Sequence, residues 1–200
     1  MSRNVLWLAN SSDVNPRIPE ELRVPNLITK RLSEEAGEDL TAVVRALWPS
    51  PALLGLVGDW LERYEPVAVV LHVNSYWFTY ESAPEKVRRI FGPVGKPLAS
   101  AGLKAAAMPS FSDNPLFKAG RKAVVRAVGG DLLLPPRESL ELFGSVVRRV
   151  VSEEDMVLLV RGPLTAHNSA GTDRGFRKAL RRRVYMHRAI QDLCAKLHVT

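Results

Sequence analysis

The chain has 200 residues, of which 46% are hydrophobic and 24% are charged, and its formal net charge is +7. This composition is typical of one globular domain and excludes a low-complexity chain. Cys194 is the only cysteine, which excludes an intrachain disulfide and a thiolate metal cluster. No apolar run reaches the roughly 18 residues of a membrane span, and no secretory signal precedes the first predicted strand, so we expect a soluble cytoplasmic protein.

Apolar runs and helical patterns alternate along the first part of the chain. Val5–Leu8 predicts a buried strand, and Pro25 opens a stretch with helical spacing. Leu40–Leu47 predicts a second strand and Pro51–Tyr64 a second helix. Val67–Val73 is apolar almost throughout, which is typical of a strand covered on both faces of a parallel sheet.

The alternation continues toward the C-terminus. Gly102–Ser110 predicts a short strand, and Asn114–Gly130 predicts a helix closed by two glycines. Arg137–Val151 predicts an amphipathic helix and Asp155–Pro163 a further strand. A long final helix is expected to carry arginines on one side and an apolar stripe on the other, made of Phe176, Leu180, Val184, His187, Ile190, Cys194 and Leu197.

Strands that alternate with helices predict βαβ units. The expected fold is therefore an α/β, three-layer α/β/α sandwich with a mainly parallel, flavodoxin-like sheet of four to five strands. Val5–Leu8 and Val67–Val73 should be adjacent and central, because both are nearly continuous apolar runs. No repeat or linker divides the sequence, so we expect a single domain over residues 1–200.

Polar residues follow each predicted strand. Ligands of parallel α/β sheets bind at the carboxyl ends of the strands, although turns use the same residue types. The residues concerned are Asn10, Ser11, Ser12 and Asp13 after the first strand, Trp48, Pro49 and Ser50 after the second, Asn74, Ser75 and Tyr76 after the third, and Arg161, Gly162, Thr165, His167 and Asn168 after the fourth.

Several common catalytic motifs are absent from the sequence. There is no GxGxxG or GxxxxGK[ST], so neither a dinucleotide site nor a P-loop has motif support. There is no HExxH metal motif and no GxSxG nucleophile elbow. We therefore expect no cofactor and no metal.

The order of elements and of strand-end residues resembles the SGNH (GDSL-type) hydrolase family from Asn4 to about Asn74. In that family the first strand ends in a Gly-Asp-Ser motif that carries the nucleophile. Ala9, Asn10 and Ser11 stand at the matching positions here. The family's second block supplies a glycine after the second strand, and Ser50 in the turn "WPSPA" lies near that position.

The third block of the family ends a strand with Gly-x-Asn-Asp, and its Asn assists the oxyanion hole. In "LHVNSYW" only Asn74 matches, since His72 replaces the Gly and Ser75 replaces the Asp. We expect His72 to be packed inside the strand. The resemblance beyond this block is mainly one of architecture.

The resemblance implies a serine hydrolase for an ester of a small acyl, lipid or carbohydrate substrate. Ser11 would be the nucleophile, and Asn74 with a backbone N–H after Ser11 would stabilise the oxyanion. Asn10, Ser50 and Tyr76 are expected to bind substrate, because they too lie at strand ends.

The catalytic base of the family stands in a DxxH block after a final strand, and no DxxH occurs in this sequence. The domain is thus expected to stop before that strand, and the base to lie beyond Thr200 or to be replaced by His167. A serine without its base turns over poorly, so model esters are expected to be hydrolysed poorly or not at all.

Two other functions stay open. One is a catalytically silent SGNH-like domain that binds a ligand or a partner protein. The other is a basic module for nucleic acid, since Arg174–Arg188 holds much of the positive charge. Its candidate contacts are Arg177, Lys178, Arg181, Arg182 and Arg183, although such a charge run is usually a solvated helix face.

Overall fold

The computed structural model describes residues 2–9, 13–46, 48–82, 85–86, 89–90, 115–116, 119–120, 123, 129–162, 166–167 and 171–199. Among its helices are α1 (Val24–Ala36), α2 (Leu53–Tyr64), α3 (Pro136–Val151) and α4 (Asp173–Lys196). Its strands are β1 (Arg3–Ala9), β2 (Leu40–Ala46), β3 (Ala68–His72), β4 (Glu81–Ser82), β5 (Asp131–Leu132) and β6 (Val157–Arg161). The elements predicted over Gly102–Ser110 and Asn114–Gly130 lie wholly or largely outside the described residues.

Four strands form a parallel sheet in the order β2-β1-β3-β6. The central strands β1 and β3 pair from Val5↔Ala68 to Leu8↔Leu71, which confirms their predicted adjacency. Helices flank this sheet, and the α/β, flavodoxin-like three-layer fold predicted from the sequence is confirmed.

The chain groups into two compact units. The first comprises Met1–Asn74, Arg137–Leu164 and His187–Thr200 and contains the parallel sheet. The second comprises Ser75–Pro136 and Thr165–Met186 and contains the antiparallel pair of β4 and β5.

The core of the first unit forms around β1, whose last five residues are at most 2% exposed. Alternate side chains of a strand point to opposite faces, so Val5, Trp7 and Ala9 share one face and pack with Val70. The indole Nε1 of Trp7 donates a hydrogen bond of 3.0 Å to Oγ1 of Thr29, and this bond ties α1 to that face.

The strand order fixes where a ligand site belongs. The connection from β1 to β2 steps one way across the sheet, whereas the next two connections step the other way. Right-handed crossovers therefore place α1 on one face and α2 and α3 on the other. In agreement, the side chain of Arg149 on α3 lies beside Gly58 on α2. The reversal between β1 and β3 is the switch point, where the carboxyl ends of strands leave a crevice for ligands.

The buried face of α4 differs from the predicted stripe. Ala179, Met186, Ile190 and Cys194 are buried, whereas Phe176, Leu180, Val184 and His187 are exposed. Four residues turn about 40° more than one full turn of a helix. The two steps of four from Phe176 to Val184 therefore move the predicted stripe away from the face that is buried. No described helix is both long and apolar enough to cross a membrane.

Candidate active site

The carboxyl edge of the sheet in the first unit brings together residues from three strand ends. β3 ends at His72 and β6 ends at Arg161, and these two residues are partners in the parallel register. The backbone N–H of Val73 donates to the carbonyl of Arg161 at 2.9 Å, which extends the pairing by one residue. Asp13 follows the end of β1 by four residues.

The Asp13 carboxylate bridges the other two side chains. Its Oδ2 lies 2.7 Å from Nδ1 of His72, and its Oδ1 lies 3.6 Å from Nη1 of Arg161. The side chains of Asp13 and His72 are 6% and 7% exposed, whereas that of Arg161 is 33% exposed. The site is therefore a buried carboxylate–imidazole pair beside a half-buried guanidinium.

Burial of a carboxylate is costly unless partners replace its lost water. Here each oxygen of Asp13 faces a nitrogen that can donate a hydrogen bond or carry positive charge. The carboxylate in turn fixes the orientation of the His72 ring. In a Ser-His-Asp triad the carboxylate likewise faces Nδ1 of the histidine, and Nε2 exchanges the proton.

Two of the predicted site residues of the first unit, Asn74 and Ser50, lie among the described residues. Asn74 is buried, at 6% exposed, and comes two residues after β3. Ser50 is half-buried and its carbonyl accepts the N–H of Leu53 at 3.0 Å, where α2 begins. Asn10 and Ser11 fall outside the described residues, so their roles stay predictions.

The other two predicted site residues, Tyr76 and His167, belong to the second unit and pack in an aromatic cluster. The backbone N–H of His167 donates to Oγ1 of Thr79 at 3.0 Å. The ring centroids of His167 and Tyr80 are 5.0 Å apart in an edge-on arrangement, and those of Tyr80 and Tyr76 are 4.6 Å apart. Tyr80 thus links Tyr76 to His167.

The basic face of α4 is partly neutralised within the second unit. Oε1 of Glu81 lies 2.8 Å from both Nζ of Lys178 and Nη1 of Arg182. Arg177 and Arg181 are exposed. In the described ranges, no group of three or more His, Cys, Asp and Glu side chains is arranged to hold a metal ion.

The sequence pattern identified two of the three clustered side chains only as members of larger polar groups. Asp13 and Arg161 are among the residues that follow strands, but His72 was expected inside its strand. The structure ends β3 at His72, one residue before the predicted end at Val73. If the predicted strand had ended at His72 instead of Val73, the imidazole would have been counted among the residues at the ligand edge of the sheet.

Among the comparisons with known proteins, only the structural comparison found a similar protein. No protein-family model and no curated protein matches it. The crystal structure of TesA is similar, with a TM-score of 0.52 and 13% sequence identity, over 98% of this chain and 76% of that one. The two chains share an α/β fold. At this level of identity the likeness concerns the architecture alone.

Proposed function

We propose that this chain is an SGNH-type serine hydrolase that cleaves an ester of a small acyl, lipid or carbohydrate substrate. The observation that carries the proposal is the buried pair of Asp13 and His72 at the carboxyl edge of the sheet. The SGNH-like fold supports it, because the family places its nucleophile directly after the first strand. Ser11 holds that position here and precedes Asp13 by two residues.

The proposed reaction uses four side chains with distinct roles. Ser11 Oγ attacks the ester carbonyl while Nε2 of His72 accepts its proton, and Asp13 stabilises the imidazolium that forms. The Asn74 amide, with the backbone N–H after Ser11, donates to the oxyanion. The imidazolium then gives the proton to the leaving alkoxide. Water, activated by His72, hydrolyses the acyl-serine and restores Ser11.

His167 is the second candidate for the base. Its ring is held at the edge of Tyr80 in the second unit. Asn10, Ser50 and Tyr76 are proposed to contact substrate, so their replacement should raise KM more than it lowers kcat.

The test is hydrolysis of short-chain aryl esters by the wild type and by single variants. Ser11→Ala and His72→Asn should each lower kcat by about three orders of magnitude or more, because nucleophile and base act as a unit. Asp13→Asn should also lower kcat strongly, since an amide in place of the carboxylate favours the wrong imidazole tautomer.

A matched control is His198→Asn, which replaces an exposed histidine whose positive φ of 54° suits asparagine. Its kcat should equal that of the wild type. Loss of activity in His167→Ala with full activity in His72→Asn would transfer the role of base to His167. Absence of activity in the wild type would favour the silent binding domain.

A further inference from the structure

We propose that Arg161 forms an anion-binding subsite beside the Asp13–His72 pair, and that the substrate therefore carries a carboxylate or phosphate group close to its scissile ester. The assignment of this anion to a substrate rests on the proposed function, whereas anion binding itself can be measured without turnover.

Arg161 occupies the position that such a subsite requires. It ends β6 directly opposite His72 in the parallel register, and neighbouring strands are about 4.8 Å apart. The side chains of both residues reach the same carboxylate, so they lie on the same side of the sheet edge. A group bound to Arg161 would thus lie within a few atoms of an ester carbonyl held near His72.

The guanidinium also has donors to offer. Within the described part of the chain, its ion-pair partner is Asp13 at 3.6 Å, which is longer than the roughly 3.2 Å upper limit of a good N–H···O hydrogen bond. A guanidinium carries five N–H donors in a planar fork that matches the two oxygens of a carboxylate or phosphate. One long ion pair uses little of this capacity.

Access agrees with this assignment. A third of the Arg161 side chain is exposed, whereas Asp13 and His72 are almost fully buried, so Arg161 is the member of this cluster that solvent reaches most.

Anion binding is tested with inorganic phosphate and with butyrate, and butyramide serves as the uncharged counterpart of butyrate. Dissociation constants come from amide chemical-shift titrations of the full chain. Wild-type protein should bind at least one anion and not butyramide, with shifts centred on the amides of Asp13, His72 and Arg161. Tighter binding of phosphate or of butyrate would decide between the two substrate classes.

Arg161→Gln should raise the dissociation constant of the anion about tenfold or more, because a charge-assisted hydrogen bond is lost. Arg161→Lys keeps the charge but loses the fork, so it should bind more weakly than wild type and more tightly than Arg161→Gln. The matched control is Arg137→Gln, which removes a 91% exposed arginine on α3 and should bind as the wild type does. Should Arg161→Gln unfold, Arg161→Lys and the wild-type shift map still decide the question.

Equal anion affinity in wild type and Arg161→Gln, or no anion binding by the wild type, would overturn the inference. Ser11→Ala separates it from the proposed function, because this variant should bind anions with unchanged affinity while hydrolysis is lost. Hydrolysis that depends on Ser11 and His72, with no Arg161-dependent anion binding, would refute the subsite alone. Anion binding that depends on Arg161, with no hydrolysis, would refute the proposed function alone.

Discussion

Nδ1 of His72 lies 2.7 Å from Oδ2 of Asp13, although the two residues are 59 positions apart in the chain. The contact joins the segment after β1 to the end of β3, the two central strands of the sheet. It therefore stands at the switch point, where the fold itself opens a crevice. A long-range buried contact between an acid and a histidine has consequences for stability as well as for the proposed catalysis.

Asp13→Asn should lower the free energy of unfolding by about 1–3 kcal/mol, because it removes the buried carboxylate that contacts both the His72 imidazole and the Arg161 guanidinium. Urea denaturation measures the change. Asp39→Asn is the matched control, since Asp39 is exposed, and it should alter stability by less than about 0.5 kcal/mol. Equal stability of Asp13→Asn and the wild type would show that the pair contributes nothing to folding.

Thr29→Val should destabilise the protein by about 1–3 kcal/mol, because it leaves the buried indole N–H of Trp7 without the acceptor described here. Valine has nearly the shape of threonine, so the loss reports the hydrogen bond rather than a cavity. Thr41→Val, at an exposed position of β2, is the control and should change stability by less than about 0.5 kcal/mol. A similar effect of both substitutions would contradict the role given to this bond.

The central fold was predictable because its signals are local. Val5–Leu8 and Val67–Val73 are apolar enough to require cover on both faces, and the helices between strands then force parallel pairing. The buried face of α4 was less predictable. A helix that packs along its length can bury Ala179 and Met186 while leaving Leu180 exposed, and only tertiary contacts decide which of two adjacent faces is covered.

The thiol of Cys194 should react slowly with DTNB in the folded protein, because burial raises its pKa above the ordinary value. At pH values below the ordinary thiol pKa, the protonated thiol contributes to the free energy of unfolding in full. This contribution is lost as the pH rises through the higher pKa of the folded state. Absorbance at several pH values follows the reaction, and protein in urea should react at the rate of a free thiol. Equally fast reaction with and without urea would contradict burial of the thiol.

Glu81→Gln should cost about 1 kcal/mol of unfolding free energy, the upper end for partly exposed ion pairs, since one carboxylate holds both Lys178 and Arg182. The loss should shrink at high salt, where exposed charges are screened. Glu141→Gln is the control, because its pair with Arg137 is exposed and should be worth less than about 0.5 kcal/mol. Equal losses in low salt would contradict a special role for Glu81.

The site was only partly predictable for a geometric reason. Strand-end rules gather Asp13 and Arg161 at one edge, but they do not say which polar groups touch. The contact with His72 depends on the tertiary position of the segment after β1, which brings Asp13 to the end of β3, and a local apolar pattern does not encode that position. The imidazole was therefore assigned to packing.

The most direct test of the proposed site is covalent labelling of the full chain with a fluorophosphonate, followed by peptide mass mapping. An activated serine displaces fluoride from phosphorus and keeps the phosphonyl group, so no substrate has to be known. The adduct should form on Ser11 in the wild type and in His167→Ala, and form far more slowly in His72→Asn. Labelling of another serine, or equal labelling rates of Ser11 in the wild type and His72→Asn, would contradict a nucleophile activated by the Asp13–His72 pair.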